Sequence, residues 1–179
     1  MKWTVALIGS LLMLAPVACQ VPEAPMIANG QTALPKEDSA AYLDRISSRP
    51  TVTEADALAG IFLMLDEPPK ATFGEAVKAL VGRKIADARW DFQAGREMVR
   101  GKVAYMIYQT CKIRGGLTLT LAGPSQRYCL RELQYRGFMT PGPVYNIVTG
   151  MEYVAILARA DELRQTGKVT STMVREVSW

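Results

Sequence analysis

The sequence predicts a mainly α-helical domain, arranged as a pseudo-threefold bundle of helix–loop–helix repeats with one short extended segment. Three observations carry this expectation. The first is self-similarity: "TVTEADALAGIFLML" from Thr51, "EMVRGKVAYMIYQTC" from Glu97 and "NIVTGMEYVAILARA" from Asn146 superpose position by position. Val52, Met98 and Val148 align, then Leu58, Ala104 and Val154, then Ile61, Ile107 and Leu157, then Phe62, Tyr108 and Ala158. Such spacing makes one apolar face of a helix. The second is the helix-start signal. Thr149 with Glu152 is a full capping box and Thr53 with Asp56 a looser one, whereas the middle copy has Val99 and Lys102 there. The third is a further helix type ahead of two of these stretches. "TFGEAVKALVGRKI" opens on Thr72 and Glu75, and "SQRYCLRELQYRGF" opens on Ser125 after Gly123-Pro124, with Val77 and Leu130, Leu80 and Leu133, and Ile85 and Phe138 in register. A unit of this kind buries its apolar stripe only against its neighbours.

Along the chain, the first segment reads "MKWTVALIGSLLMLAPVAC". One Lys precedes an apolar run from Val5 to Ala18 that is short for a bilayer span and fits a secretory signal, so residues 1–18 are set apart from the fold. "PVAC" resembles the bacterial lipobox: Ala18 and Val17 fit, and Pro16 stands where Leu is usual. The resemblance implies a lipid on Cys19 and an anchor at a bacterial membrane, in the periplasm or on the outer surface; ordinary signal cleavage is the alternative. Residues 19–38, with three prolines and no helical period, read as a flexible tether.

The repeat domain spans 39–165. "EDSAAYLDRIS" is the leading helix of the first copy, joined to its capped helix by a short "SRPT". The later copies have longer irregular loops, "ADARWDFQAGRE" and "MTPGPVYN". Asp66 and Glu67 precede Pro68-Pro69, so they end a helix and turn the chain rather than form an acid–base pair. In "GLTLTLAGPS", Leu117, Leu119 and Leu121 alternate with threonines, which predicts a short extended strand between Gly115-Gly116 and Gly123-Pro124. Residues 166–179 form a C-terminal tail that reads equally as a short helix, a strand or coil.

The chain has no histidine. That removes the usual general base, the commonest metal ligand and the Ser-His and Cys-His nucleophile pairs. With no G-x-S-x-G elbow, phosphate loop or C-x-x-C, the expectation is a non-catalytic protein without cofactor or metal. Cys111 and Cys129 stand either as a disulfide, which an exported protein permits, or as two buried thiols. Charge is uneven. Between Lys78 and Arg136 there are twelve basic residues and four acidic ones, a balance of +8, whereas Gln20 to Val77 carries four basic and nine acidic, −5. A basic middle suits an acidic partner such as a wall glycan, lipid headgroups or an acidic protein face, or else a solvated face whose charges pair locally; export disfavours nucleic acid.

From Ser39 to Leu163 the pattern resembles the S-layer homology (SLH) domain of bacterial envelope proteins, a helix ending near "GI", a variable loop, and "V-T-R-A-E" opening a second helix. "ALVGRKI…MVRGKVAYMIYQTCKI" and "LQYRGFM…IVTGMEYVAILARA" follow that outline. The resemblance implies a three-pronged bundle that holds anionic cell-wall polymer in inter-repeat grooves, with the motif's Arg on the acidic groups. Arg100 matches that Arg, whereas Glu54 and Gly150 replace it in the other copies. Glu152 matches the motif's Glu, Asp56 approximates it, and Lys102 replaces it. Thr149 matches the Thr. The implied ligand residues are therefore Arg100, Lys102, Thr149 and Glu152. Trp90, in the loop of the middle copy, is placed to stack on a sugar ring or to plug its loop onto the core, as are Phe92 and Tyr145. The expected function is a cell-envelope module binding an anionic envelope polymer or surface, membrane-attached through its lipid. The alternative is a structural or adaptor lipoprotein binding another envelope protein.

Overall fold

The computed structural model describes residues 38–167, together with Ile27–Ala28, Thr32 and Leu34. The signal segment, Cys19 and residues 168–179 lie outside the described residues. The fold is mainly α. In chain order come β1 (Ile27–Ala28), α1 (Ser39–Ser47), α2 (Glu54–Met64), α3 (Phe73–Gly82), β2 (Phe92–Gln93), α4 (Arg100–Thr110), α5 (Leu117–Ala122), α6 (Gln126–Tyr135) and α7 (Gly150–Thr166). β1 and β2 pair in parallel, Ile27 opposite Phe92 and Ala28 opposite Gln93.

Local chemistry sets the helix boundaries. The side chains of Asp38, Thr53, Thr72, Ser125 and Thr149 each accept from the backbone N–H three residues on, which satisfies one orphan donor per helix. Val99 gives α4 no such cap. Four helices end alike. The N–H groups of Glu67, Ile85, Ile113 and Phe138 each reach back five residues, to the carbonyls of Phe62, Leu80, Tyr108 and Leu133. The preceding residue has positive φ in each: Asp66 at 57°, Lys84 at 60°, Lys112 at 48° and Gly137 at 76°. This is the Schellman arrangement, and the buried Ile85, Ile113 and Phe138 supply its apolar contact.

Packing pairs α2 with α3, α4 with α6, and α7 with α1, so that the first and last helices lie together. Helices α1, α3 and α6 thus each cover a helix other than the one that follows them in sequence. The faces turned inward are Ala57, Leu58, Ile61 and Phe62 of α2, Val103, Ala104, Met106 and Ile107 of α4, and Tyr153, Ile156, Leu157 and Ala160 of α7. The expected stripe drifts outward at its end, because Tyr108 is half-buried and Ala158 exposed. Gly60 leaves room for two tyrosine hydroxyls. Tyr42 donates to the carbonyl of Asp56 at 2.8 Å and Tyr153 to that of Ala57 at 2.6 Å, and a Cβ on Gly60 would stand 2.5 and 2.7 Å from those oxygens.

The N-termini of α2, α4 and α7 meet at a junction closed by backbone hydrogen bonds. Val52 N–H donates to Val148 O at 3.1 Å, Val148 N–H to Met98 O at 2.9 Å, and Met98 N–H to Val52 O at 2.8 Å. The next donors also find neighbouring loops: Glu54 N–H to Arg96 O at 2.7 Å, Arg100 N–H to Asn146 O at 2.8 Å and Gly150 N–H to Arg49 O at 3.2 Å. Helix-end N–H groups that would otherwise be buried without partners are satisfied there.

Two sequence expectations are corrected. The segment expected to be an extended strand, Leu117–Leu121, is helix α5. A strand there would need a neighbouring edge for its backbone groups, whereas one helical turn satisfies them internally: Thr120 N–H reaches Gly116 O at 3.2 Å and Gly123 N–H reaches Leu119 O at 3.1 Å. The helix then buries Leu119 alone and turns Leu117 and Leu121 outward. The expected tether, 19–38, contains residues that dock on the domain: β1 pairs with β2, Thr32 O accepts from Phe73 N–H at 2.8 Å, and Leu34 joins the core. At the other end, α7 runs to Thr166 and is closed by Gly167 at φ 71°.

Candidate functional site

The residues singled out by sequence converge on the junction of helix N-termini. Glu54, Arg100 and Gly150 are the first residues of α2, α4 and α7; Asp56, Lys102 and Glu152 are the third. First and third residues pair between helices. Lys102 Nζ lies 2.6 Å from Glu54 Oε1, and Arg100 Nη2 lies 3.0 Å from Glu152 Oε1. Gly150 has no side chain to offer Asp56, and a Cβ there would stand 1.9 Å from the carbonyl oxygen of Ile46. Arg45 and Arg49, from α1 and the residues after it, supply the cation instead, at 3.0 and 2.6 Å from Asp56.

These groups are spent on the fold. Lys102 is buried, and its ammonium also sits 4.9 Å from the Phe92 ring and 5.6 Å from the Trp90 ring. Burial pushes its pKa below the usual lysine range, against the pull of Glu54. Arg96 joins Glu54 at 3.0 Å and Asp91 at 3.0 Å. Asp91 is held below the ordinary carboxylate range by hydrogen bonds from Gln93 and Arg96. Trp90 packs edge-on against Tyr105 at 5.2 Å and tilted against Phe92 at 5.8 Å, so it plugs its loop. Thr149 Oγ1 accepts from Glu152 N–H at 3.2 Å. The carboxylate of Glu152 faces Arg100 as an ion contact; among the described residues neither Glu152 Oε1 nor Arg100 Nε has a hydrogen-bond partner. All five residues expected to hold a ligand thus have partners within the fold: Arg100, Lys102 and Glu152 in ion pairs at the junction, where a charge taken out of water needs a partner in place, Trp90 in ring contacts, and Thr149, itself exposed, in its helix cap.

Arg100 has a second task. Its Nη2 donates to the carbonyl of Thr140 and to Thr140 Oγ1, and its Nη1 lies 3.5 Å from Pro141 O. From the other side, Gln134 Nε2 donates to Thr140 O at 3.2 Å and to Gly142 O at 2.9 Å. The loop so clamped forms one wall of an open groove of about 570 Å³, with α6 as the other. Its floor holds Leu130 and Val144; Arg127 and Arg131 line the α6 side, and Tyr145 stands opposite at 78% exposure. Neither arginine has an ion-pair or hydrogen-bond partner among the described residues. Their spacing puts both guanidinium groups on one helix face, beside an aromatic ring with its plane free. That set can hold an acidic group and stack a flat or sugar-like ring.

Sequence reading placed Arg127 and Arg131 in the basic middle and Tyr145 in its loop without joining them. A signal was available: neither arginine has an acidic residue three or four positions away in sequence. By contrast Arg136, with Glu132 four positions back, pairs with it at 2.7 Å.

Cys111 and Cys129 are free thiols, so the disulfide alternative is set aside. Burial pushes Cys111 up to about 11 and Cys129 up to about 12, which keeps both protonated and inert. Among the described residues no cluster of acids and cysteines is arranged to hold a metal ion. No helix among them is long and apolar enough to cross a membrane. No family model, curated protein or solved structure matches this chain.

Proposed function

We propose that this chain is a non-catalytic envelope-binding domain, built from three copies of one SLH-like helix–loop–helix unit, whose α6 groove holds an acidic envelope polymer. The threefold reading is supported by the closed hydrogen-bond ring of Val52, Met98 and Val148 and by the pairing of first and third helix residues from copy to copy. The first leading helix, α1, covers the last capped helix, α7, and supplies the cations that Gly150 lacks.

The polymer reading rests above all on Arg127 and Arg131, unpaired among the described residues and side by side, facing the exposed ring of Tyr145. Arg100 is then a positioning residue that holds the groove wall from behind. Export by the signal segment, lipidation of Cys19 and attachment to a bacterial membrane belong to the same reading.

The test is retention of the full chain on isolated cell-wall material as salt is raised. Wall material retains the chain at low ionic strength, and retention falls as salt screens the contact. An Arg127→Ala/Arg131→Ala chain is retained at least about tenfold less, since two charge-assisted contacts are lost. Equal retention of the two chains overturns the groove assignment.

A second reading, an adaptor for another envelope protein, draws on the apolar hollow of about 360 Å³ between α1, α2 and α7, lined by Leu43, Leu63, Met64, Val154 and Leu157. Salt-independent capture of one envelope protein, lost on Leu43→Asp, selects it.

A further inference from the structure

Helix α5 carries an outcrop that neither the groove nor the junction uses. Leu117 and Leu121, one turn apart, are 76% and 78% exposed, while Leu119 between them is buried. The helix is held firmly in this pose. A Cβ on Gly115 would stand 2.5 Å from Leu119 and 2.8 Å from the Tyr108 hydroxyl, so only glycine lets Leu119 fold back onto the body. Glu132 accepts from Gly116 N–H at 3.4 Å, and Arg136 bridges Glu132 at 2.7 Å to the carbonyl of Arg114 at 2.5 Å. Gly123, at φ 76°, turns the chain away directly after Ala122.

The surroundings are cationic. Between Cys111 and Arg136 stand Lys112, Arg114, Arg127, Arg131 and Arg136, against Glu132 alone, which Arg136 neutralises. Lys112 and Arg114 lie in the turn leading into α5, exposed and without side-chain partners among the described residues. Tyr135, 89% exposed, continues the α6 stripe of Tyr128, Arg131 and Glu132 that lines the hollow beside α5.

We propose that the α5 corner docks on an anionic phospholipid surface, with Leu117 and Leu121 entering the boundary between headgroups and acyl chains and Lys112 and Arg114 meeting the phosphates. Exposed leucines ringed by basic residues, beside a tyrosine suited to the headgroup layer, are what such a surface rewards. A stable protein interface draws about 800 Å² from each partner. Two leucines and a tyrosine in a cationic rim supply only a fraction of that, whereas a bilayer needs no complementary shape.

The experiment is co-sedimentation of the full chain carrying Cys19→Ser, so that no attached acyl chain contributes, with vesicles of phosphatidylglycerol and phosphatidylcholine or of phosphatidylcholine alone. The anionic vesicles are expected to retain the chain and the neutral ones to retain at least about fivefold less, with retention falling as salt rises. Leu117→Ser/Leu121→Ser, at two exposed positions, is expected to keep the circular dichroism spectrum and lower anionic partitioning at least about tenfold. Arg114→Ala flattens the salt dependence.

Undiminished partitioning of the double-serine chain overturns the proposal, as does equal retention on both vesicle types. A change in oligomeric state of that variant with no change in partitioning assigns the face to a second copy and also overturns it. The groove is tested apart. An Arg127→Ala/Tyr145→Ala chain keeps vesicle binding if the α5 corner is the contact; loss there, with binding retained by the serine variant, moves the lipid to the groove and ends the proposal.

Discussion

The junction of helix N-termini and the α6 face with its groove draw on the same residue types and use them oppositely. At the junction, the buried Lys102 and Arg100 each sit within 3.0 Å of a carboxylate. Along α6, Arg127 and Arg131 face the groove with no partner among the described residues, and at the α5 corner Lys112 and Arg114 do the same toward solvent. Burial explains the difference. A cation withdrawn from water must be matched on the spot, so the junction fixes its pairs and loses them as ligand groups. An exposed cation needs no match, so the α6 face can leave its arginines open. Arg100 belongs with the buried, matched cations of the junction.

The largest expected break in this contrast is at Glu54. Removing it by Glu54→Ala strands the ammonium of Lys102 in the core and takes a partner from Arg96. A loss of about 3–5 kcal/mol is expected in urea unfolding. Glu54→Leu combined with Lys102→Met removes both charges and recovers most of that loss. If the single and double variants unfold alike, the pair is not what the junction depends on. Next comes Gly150→Ala. Its Cβ would meet the carbonyl oxygen of Ile46 at 1.9 Å, so α1 must lift from α7. The expected loss is about 1–3 kcal/mol, read from the melting temperature. Gly82→Ala, where nothing lies within 4 Å, is the matched control and costs nothing of the kind.

A smaller effect appears only at high pH. The folded protein raises Cys111 to about 11 and Cys129 to about 12, above the ordinary thiol value of 9.0. A group whose pKa rises on folding contributes stability that is complete below its unfolded value and is lost as pH climbs through its folded one. Stability therefore declines from about pH 9 upward through pH 11–12 on account of these thiols. Replacing both by Ala removes that part of the slope. In the native chain at pH 8.5, iodoacetamide modifies both thiols slowly and in denaturant quickly, a difference that also checks their free state.

Much of the helical framework was legible because it is written in local chemistry. The caps Thr53, Thr72, Ser125 and Thr149 mark four starts, and the apolar stripes give the buried faces. The alignment of Val52, Met98 and Val148 picked out the three residues that hydrogen-bond to one another. Two things were hidden. The period-two leucines of α5 favour a strand locally, and only the lack of an edge to pair with makes a helix cheaper. The fate of Arg100 and Lys102 was hidden for a similar reason. An N-terminal helix residue reads the same in sequence whether it faces solvent or a carboxylate from a segment some fifty positions away. Arg127 and Arg131 line a groove only because Gln134 and Arg100 hold the loop opposite them, a contact between segments far apart in sequence for Arg100.

The smallest expected effect sharpens the comparison most. Arg127→Ala/Arg131→Ala, expected to weaken retention on wall material, should leave the stability of the chain within about ±0.5 kcal/mol, because exposed side chains without partners contribute little to folding. Arg100→Ala should do the reverse in proportion. It leaves Glu152 without its Arg100 contact and holds the Thr140–Gly142 loop by Gln134 alone, so it is expected to lower the melting temperature and weaken retention together. Arg100→Lys keeps the charge but not the fork that reaches both Thr140 and Pro141, so it restores stability further than retention. Paired measurements on these three variants place each arginine on one side of the contrast. A groove variant that unfolds the chain, or an Arg100 variant that weakens retention with stability intact, would exchange their roles.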